Sequence, residues 1–228
     1  MLLNPYRFGS APATDPYFSS VTLLLHAEAL VDSSSHNYAV SAENSAVLST
    51  AQAQAGTHSL ACVSSTSKSF FVTGGVLSMA AGDYTVEGWF YATAYPAVNA
   101  SLVGDFQTGT SSFEVFIDSS GFLVARASVT GSGDGSIFFV GPSGSSLNAW
   151  HHFAVVRSGT TVKVYLDGVA GTPVTDSRSY HIGTVVNIGR NGDGVWFLDG
   201  YLDEIRVTIG VARYTANFTP PTTPFPDS

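Results

Sequence analysis

Charge is scarce in this chain: Asp, Glu, Lys and Arg make up 11% of 228 residues, and only two residues, Lys68 and Lys163, are lysine. An average globular protein carries about 25% charged residues. With a formal net charge of -8 there is no clustered basic surface, which excludes nucleic acid and anionic membrane as partners, because phosphate binding needs grouped Lys and Arg. The single Cys62 excludes an intrachain disulfide. It sits in the apolar run Leu60-Ala61-Cys62-Val63 and reads as a small buried hydrophobe. No segment approaches the ~20 apolar residues of a membrane helix. Met1 to Phe8 has neither the basic start nor the apolar core of a signal peptide, so the expectation is a protein without a secretion leader.

What is present is apolar and short-period. Hydrophobic residues make up 44% of the chain and glycines number 23, enough for a large core cut up by many turns. Trp150-His151-His152-Phe153-Ala154-Val155-Val156-Arg157 is a strand signal, and Thr161 to Leu166 alternates so that Val162, Val164 and Leu166 share a face. Between them Ser158-Gly159-Thr160 reverses the chain, and Asp167-Gly168 supplies the next tight turn. Gly200 to Val207 resumes alternation, with Leu202 inward.

Further strands are read at 21–26, 46–48, 59–63, 69–72, 84–91, 101–104, 113–117, 122–129 and 137–140. Gln52 to Ala55 could form a helical turn, stopped by Gly56. Gly88 is expected to admit a bulky residue from a facing sheet. More than ten short strands without a long helix predict an all-β fold, two packed antiparallel sheets with jelly-roll topology. Residues 1–20, with Pro5, Pro12 and Pro16, read as an irregular N-terminal arm. Residues 21–210 form the jelly-roll domain, and 211–228 a Pro-rich tail packed on it.

Leu23-Leu24-Leu25-His26 with Asp32-Ser33-Ser34 resembles the opening of laminin-G-like, concanavalin A-like jelly-roll domains. So do Gln54 to Leu60, Asp83 to Phe90, Trp150 to Ala154, Tyr165-Leu166-Asp167-Gly168 and Leu202 to Arg206. The ending Gly210 to Pro221 is similar to copies found in tailed-bacteriophage structural proteins. This resemblance implies a non-enzymatic virion structural or appendage protein located on the virion, such as a tail, fibre or capsid decoration component. It would attach to cell-surface glycans or other surface molecules, dock on other virion proteins through the arm, and act as a homo-oligomer or repeated array. The alternatives are a purely architectural virion protein, a secreted carbohydrate-binding module or a glycoside hydrolase. Relatives often bind Ca2+ at the rim, which makes Asp32 with Asp203, or the Asn191-Gly192-Asp193-Gly194 loop, candidate calcium ligands; for that loop a plain turn is favoured.

The residues themselves offer little catalysis. Glycoside hydrolysis needs two carboxyl groups facing one cleft, and the Glu-x-Asp-x-Glu pattern of related hydrolases is absent. Glu114 and Asp118 read as turn and rim carboxylates. His151 and His152 would point to opposite faces, with His152 hydrogen-bonded inside the sandwich and His151 more peripheral. Candidate ligand-binding residues are Trp196, Tyr95, Tyr180, Asn191 and Asp193, aromatic planes beside amide and carboxylate groups; for Trp196, beside Val195 and Phe197, core packing is slightly favoured.

Overall fold

A computed structural model describes residues 14–107, 112–131, 136–142 and 144–228. The first 13 residues of the expected arm and the centre of the Gly/Ser loop at 130–136 lie outside the described residues. The chain order is β1 (Val21–Leu25), β2 (Val40–Glu43), β3 (Leu48–Ser49), β4 (Ser59–Cys62), β5 (Ser69–Thr73), β6 (Tyr84–Ala92), β7 (Asn99–Gly104) and β8 (Phe113–Asp118). It continues with β9 (Leu123–Ala127), β10 (Ile137–Val140), β11 (Trp150–Ser158), β12 (Thr161–Leu166), β13 (Val169–Ala170), β14 (Val174–Thr175), β15 (Val185–Ile188) and β16 (Gly200–Ile209).

The strands form two antiparallel sheets. One is nine-stranded, in order β13-β12-β11-β6-β16-β4-β3, with β1 also on β16 and β14 also on β12; the other is seven-stranded, β10-β9-β8-β7-β15-β5-β2. The jelly-roll sandwich expected from the sequence is therefore the fold. Val86, Phe90, Phe153, Val155, Val162 and Val164 from the first sheet meet Phe113, Val115, Ile117, Leu123, Val186 and Ile188 from the second in one buried cluster. Each fully buried side chain of this kind contributes about 1.5–3 kcal/mol.

The alternation in β16 breaks where the sequence pattern changed. Leu202, Ile205 and Val207 all face the core, an odd step from 202 to 205 that a period of two forbids. A β-bulge between Asp203 and Arg206, with Glu204 at φ 49°, absorbs the extra residue.

Four details differ from the sequence reading. Gln52 to Ala55 makes no helical turn, because the Gln54 and Ala55 amides donate to Asp203 Oδ2 at 2.9 and 3.2 Å instead of to a helix. At Gly88 a Cβ would meet Ile205 and Phe153, neighbours in its own sheet rather than the facing one. His152 is fully buried, but on the outer face of the nine-stranded sheet, edge-on to Trp89 and Phe218. Glu114 is no rim carboxylate: it is fully buried and paired with Arg126 at 2.6 Å.

That outer face is dry because the tail covers it. Tyr214 and Phe218 stack with centroids 3.6 Å apart, and Phe225 lies against the Arg206 guanidinium at 3.8 Å. Beneath them Glu87, with no exposed surface, accepts Arg206 Nε and Nη2 at 2.9 and 2.8 Å and the Tyr214 hydroxyl at 2.8 Å. Asp15 accepts from Arg213 and Arg206, and its own amide donates to Ser228 O at 2.8 Å. Buried charge is thus held in a closed network of opposite partners, the condition under which it is tolerated.

Candidate functional site: a groove beside Trp196

The other sheet carries the open surface. Asn191, which is 3% exposed, accepts the Val195 and Trp196 amides on its side-chain Oδ1 at 2.9 and 3.3 Å, and its carbonyl accepts the Gly194 amide. This turn folds the chain back so that the Trp196 carbonyl accepts the Ser101 amide of β7 at 2.9 Å. The indole then lies over the outside of the seven-stranded sheet, 4.4 Å from the Arg126 guanidinium and 5.6 Å from the Phe116 ring.

The opposite wall is the loop between β6 and β7. Its Tyr95 donates its hydroxyl to Ser145 O at 2.6 Å, and Thr93 donates its amide to Asp199 O at 2.9 Å. Between the walls runs a groove of about 490 Å³ lined by Tyr95, Val98, Asn99, Val195, Trp196 and Asp199, among others. Asp199 is tied at one end, accepting the Ser64 amide at 2.7 Å and the Ser64 hydroxyl. Val98 and Val195, 61% and 64% exposed, form an apolar lip that no described residue covers.

Of the five proposed ligand residues, the groove brings together Tyr95 and Trp196. Asp193 stands exposed at the tip of the neighbouring turn. Asn191 is buried and its side chain is spent on turn geometry. Tyr180 is a correction: it is 4% exposed, packs on Tyr84 in the core and donates its hydroxyl to Asp176 at 3.0 Å. The sequence reading missed Val98, Asn99 and Asp199. The available signal was Tyr95-Pro96-Ala97-Val98, an apolar run inside a Pro-bearing loop.

Among the described residues the carboxylates do not assemble a hydrolytic pair. Asp199 is the one ionisable acid lining the groove, whereas cleavage needs two facing one cleft. Glu114 lies under the sheet's cover, where burial pushes its carboxyl up to about 7 in spite of Arg126. Ser146, His151 and Asp167 form a hydrogen-bonded row at 3.0 and 2.7 Å, but His151 Nε2 also accepts the Ser146 amide at 2.9 Å. With its one lone pair so engaged, the imidazole is a brace between loop and strands rather than a base.

The residues present at Asp32 and Asp203 do not fit a calcium ion, which takes six to eight oxygens. Asp32 accepts the Leu24 and Ser34 amides on Oδ1 and the Ser34 hydroxyl and Tyr38 amide on Oδ2, filling the roughly four sites of a carboxylate. Asp203 accepts three amides, from Gln54, Ala55 and Glu204. Among the described residues no group of three or more His, Cys, Asp or Glu side chains is placed to hold a metal, and no helix is long and apolar enough to cross a membrane.

Residues 64–211 match the family model of the concanavalin A-like lectin/glucanases superfamily, of the laminin G type, and the chain belongs to that family. Solved structures with the same fold include the binding domain of botulinum neurotoxin serotype D, 15% identical with TM-score 0.64 over 85% of this chain. Two more are the botulinum neurotoxin DC binding domain in complex with SialylT, 13% identical with TM-score 0.63, and in complex with rat synaptotagmin II, 11% identical with TM-score 0.62, each over 84% of this chain. The chain spans 48–49% of those structures' length. A search of curated proteins by sequence finds no match.

Proposed function

We propose that this domain is a non-enzymatic carbohydrate-binding jelly roll whose ligand lies in the groove between Tyr95 and Trp196. The observation that carries the reading is the groove's chemistry. Two aromatic side chains and an apolar lip stand beside Asn99, Ser64 and Asp199, the combination that meets both the flat apolar face and the hydroxyl rim of a sugar ring. The larger groove of about 560 Å³ near Phe138 and Val140 lacks amide and carboxylate side chains, so it has little with which to orient hydroxyls. Neighbouring structures described as bound to SialylT or as interacting with gangliosides add support from the fold.

The finer setting we propose is a tailed-phage virion appendage, supported by the ending Gly210 to Pro221 and the neutral polar surface. Residues 1–20 would dock on other virion proteins, and an array of copies would turn weak sugar contacts into avidity. A purely architectural role is the second reading, favoured by the large area of sheet already sealed by the tail.

The test is oligosaccharide binding by calorimetry or on a glycan array, comparing the natural chain with Trp196→Ala. Loss of a central aromatic contact should weaken binding by at least about tenfold, or ~1.4 kcal/mol, with the fold retained by circular dichroism. Undiminished binding by the variant removes the groove from the reading, and no binding by either favours the architectural role.

A further inference from the structure

We infer that the groove selects uncharged sugars and discriminates against sialylated or sulfated ones; this rests on the carbohydrate-binding reading above and concerns the same site. The argument is a census of charge. The acid lining the groove is Asp199, and a second acid, Asp193, is exposed on the adjoining turn. Among the described residues, none that lines the groove is cationic.

The cations close by are already committed. Arg126, whose guanidinium lies over the Trp196 indole, holds Glu114 at 2.6 Å, and Arg190, beside the Gly194 turn, holds Glu43 at 2.9 Å. Further away, Arg206 and Arg213 belong to the Glu87 and Asp15 network, Arg178 holds Asp176 at 2.8 Å, Arg157 donates to the Gly159 and Arg178 carbonyls, and Lys163 donates to Thr215 O. Lys68 lies past the Ser64–Thr66 turn and does not line the groove. An anionic sugar would therefore enter a site with a carboxylate on its wall, on a chain of net charge -8, where among the described residues the nearby guanidiniums of Arg126 and Arg190 already face acids of their own. A neutral sugar instead meets Asp199 as a hydroxyl acceptor, since each of its oxygens keeps a lone pair beyond the bond from Ser64.

The experiment uses matched pairs of neutral oligosaccharides and their sialylated or sulfated counterparts on one array, followed by titration of the best pair. The neutral member should bind at least about tenfold more tightly at low salt, and the gap should narrow as ionic strength rises from about 0.05 to about 0.5 M, because screening weakens repulsion. Asp199→Asn should raise affinity for the charged member relative to the neutral one, narrowing the low-salt gap by at least about threefold. Equal or tighter binding of the charged member, or a gap insensitive to salt in the natural chain, overturns the inference while leaving carbohydrate binding in place. Absence of binding to every member of every pair instead overturns the reading on which it rests.

Discussion

Replacing Glu87 with leucine is expected to lower the melting temperature by about 10 °C. Glu87 sits at the centre of the sealed face. Burial pushes its carboxyl up, but Arg206, His152 and Arg213 outweigh that and hold it at about 2. Removing it strands the Arg206 guanidinium, 5% exposed, with Asp15 as its remaining acid at 3.2 Å, and leaves the Tyr214 hydroxyl without its acceptor. Breaking one side of a buried ion pair costs about 3–5 kcal/mol, and 1 kcal/mol moves the midpoint of a domain this size by about 2–4 °C. The double variant Glu87→Leu with Arg206→Leu should recover most of the loss, because it removes the uncompensated charge along with its partner. A single variant within about 1 kcal/mol of the natural chain by chemical denaturation would mean that the network does not hold the tail in place.

Between pH 5 and pH 8 the chain should lose about 2 kcal/mol of stability through Asp203. Burial raises this carboxyl to about 7, the amides of Ala55 and Gln54 oppose it only in part, and the neighbouring Glu204 carboxylate adds to the rise. Because the folded-state value lies above the unfolded ~3.9, the folded protein keeps a proton that the unfolded chain has released, so stability is highest below ~4 and falls as pH rises to ~7. The full difference corresponds to at most about 4 kcal/mol, and water reaching the site reduces it. His26, raised overall by its bond to Glu204 although burial lowers it, contributes in the same direction above its unfolded value. Glu87 acts oppositely, its stabilisation being lost as pH falls from ~4.5 through ~2. The optimum therefore lies near pH 5. Glu114, also raised to about 7 by burial, loses stability over the same window, so Asp203→Asn should reduce but not abolish the pH 5–8 slope measured by urea denaturation, and an unchanged slope would assign it elsewhere.

Most strands were legible because one face of each is apolar with a period of two, as in Thr161 to Leu166, while Trp150 to Arg157 is legible as a short run apolar on both faces. β2, β13, β14 and β15 were not, since β13 and β14 are two residues long, and Val40-Ser41-Ala42-Glu43 and Val185-Val186-Asn187-Ile188 lack clear alternation. The burial of Glu87 and Arg206 was hidden for a different reason. On a two-layer sandwich the outward positions of β6 and β16 read as solvent-facing, and only the tail, a tertiary event, makes them interior. Much the same holds for Glu114 and Arg126, which sit under Trp196 and Phe106.

The groove was half visible. Trp196 and Tyr95 announced themselves as aromatics in polar loops, but nothing local tells Tyr180, anchored on Asp176, from Tyr95, 41% exposed. Asp199 was hidden by its place just before a strand, where an acid reads as turn chemistry. Pairing of distant loops across a sheet end is not encoded in any window of the chain, so a site built by such pairing emerges only with the topology.

The three tryptophans offer the most direct test of the central claim, that the groove is the sugar site. Trp89 is buried and edge-on to His152, Trp150 packs edge-on to Tyr91, and Trp196 lines the groove. Their indole N–H signals can be separated in a 15N-correlated spectrum and assigned with Trp196→Phe. Saturation with the best-binding neutral oligosaccharide should move the Trp196 signal and leave those of Trp89 and Trp150 in place. Binding that shifts Trp150 or Trp89 while Trp196 stays still would contradict the account.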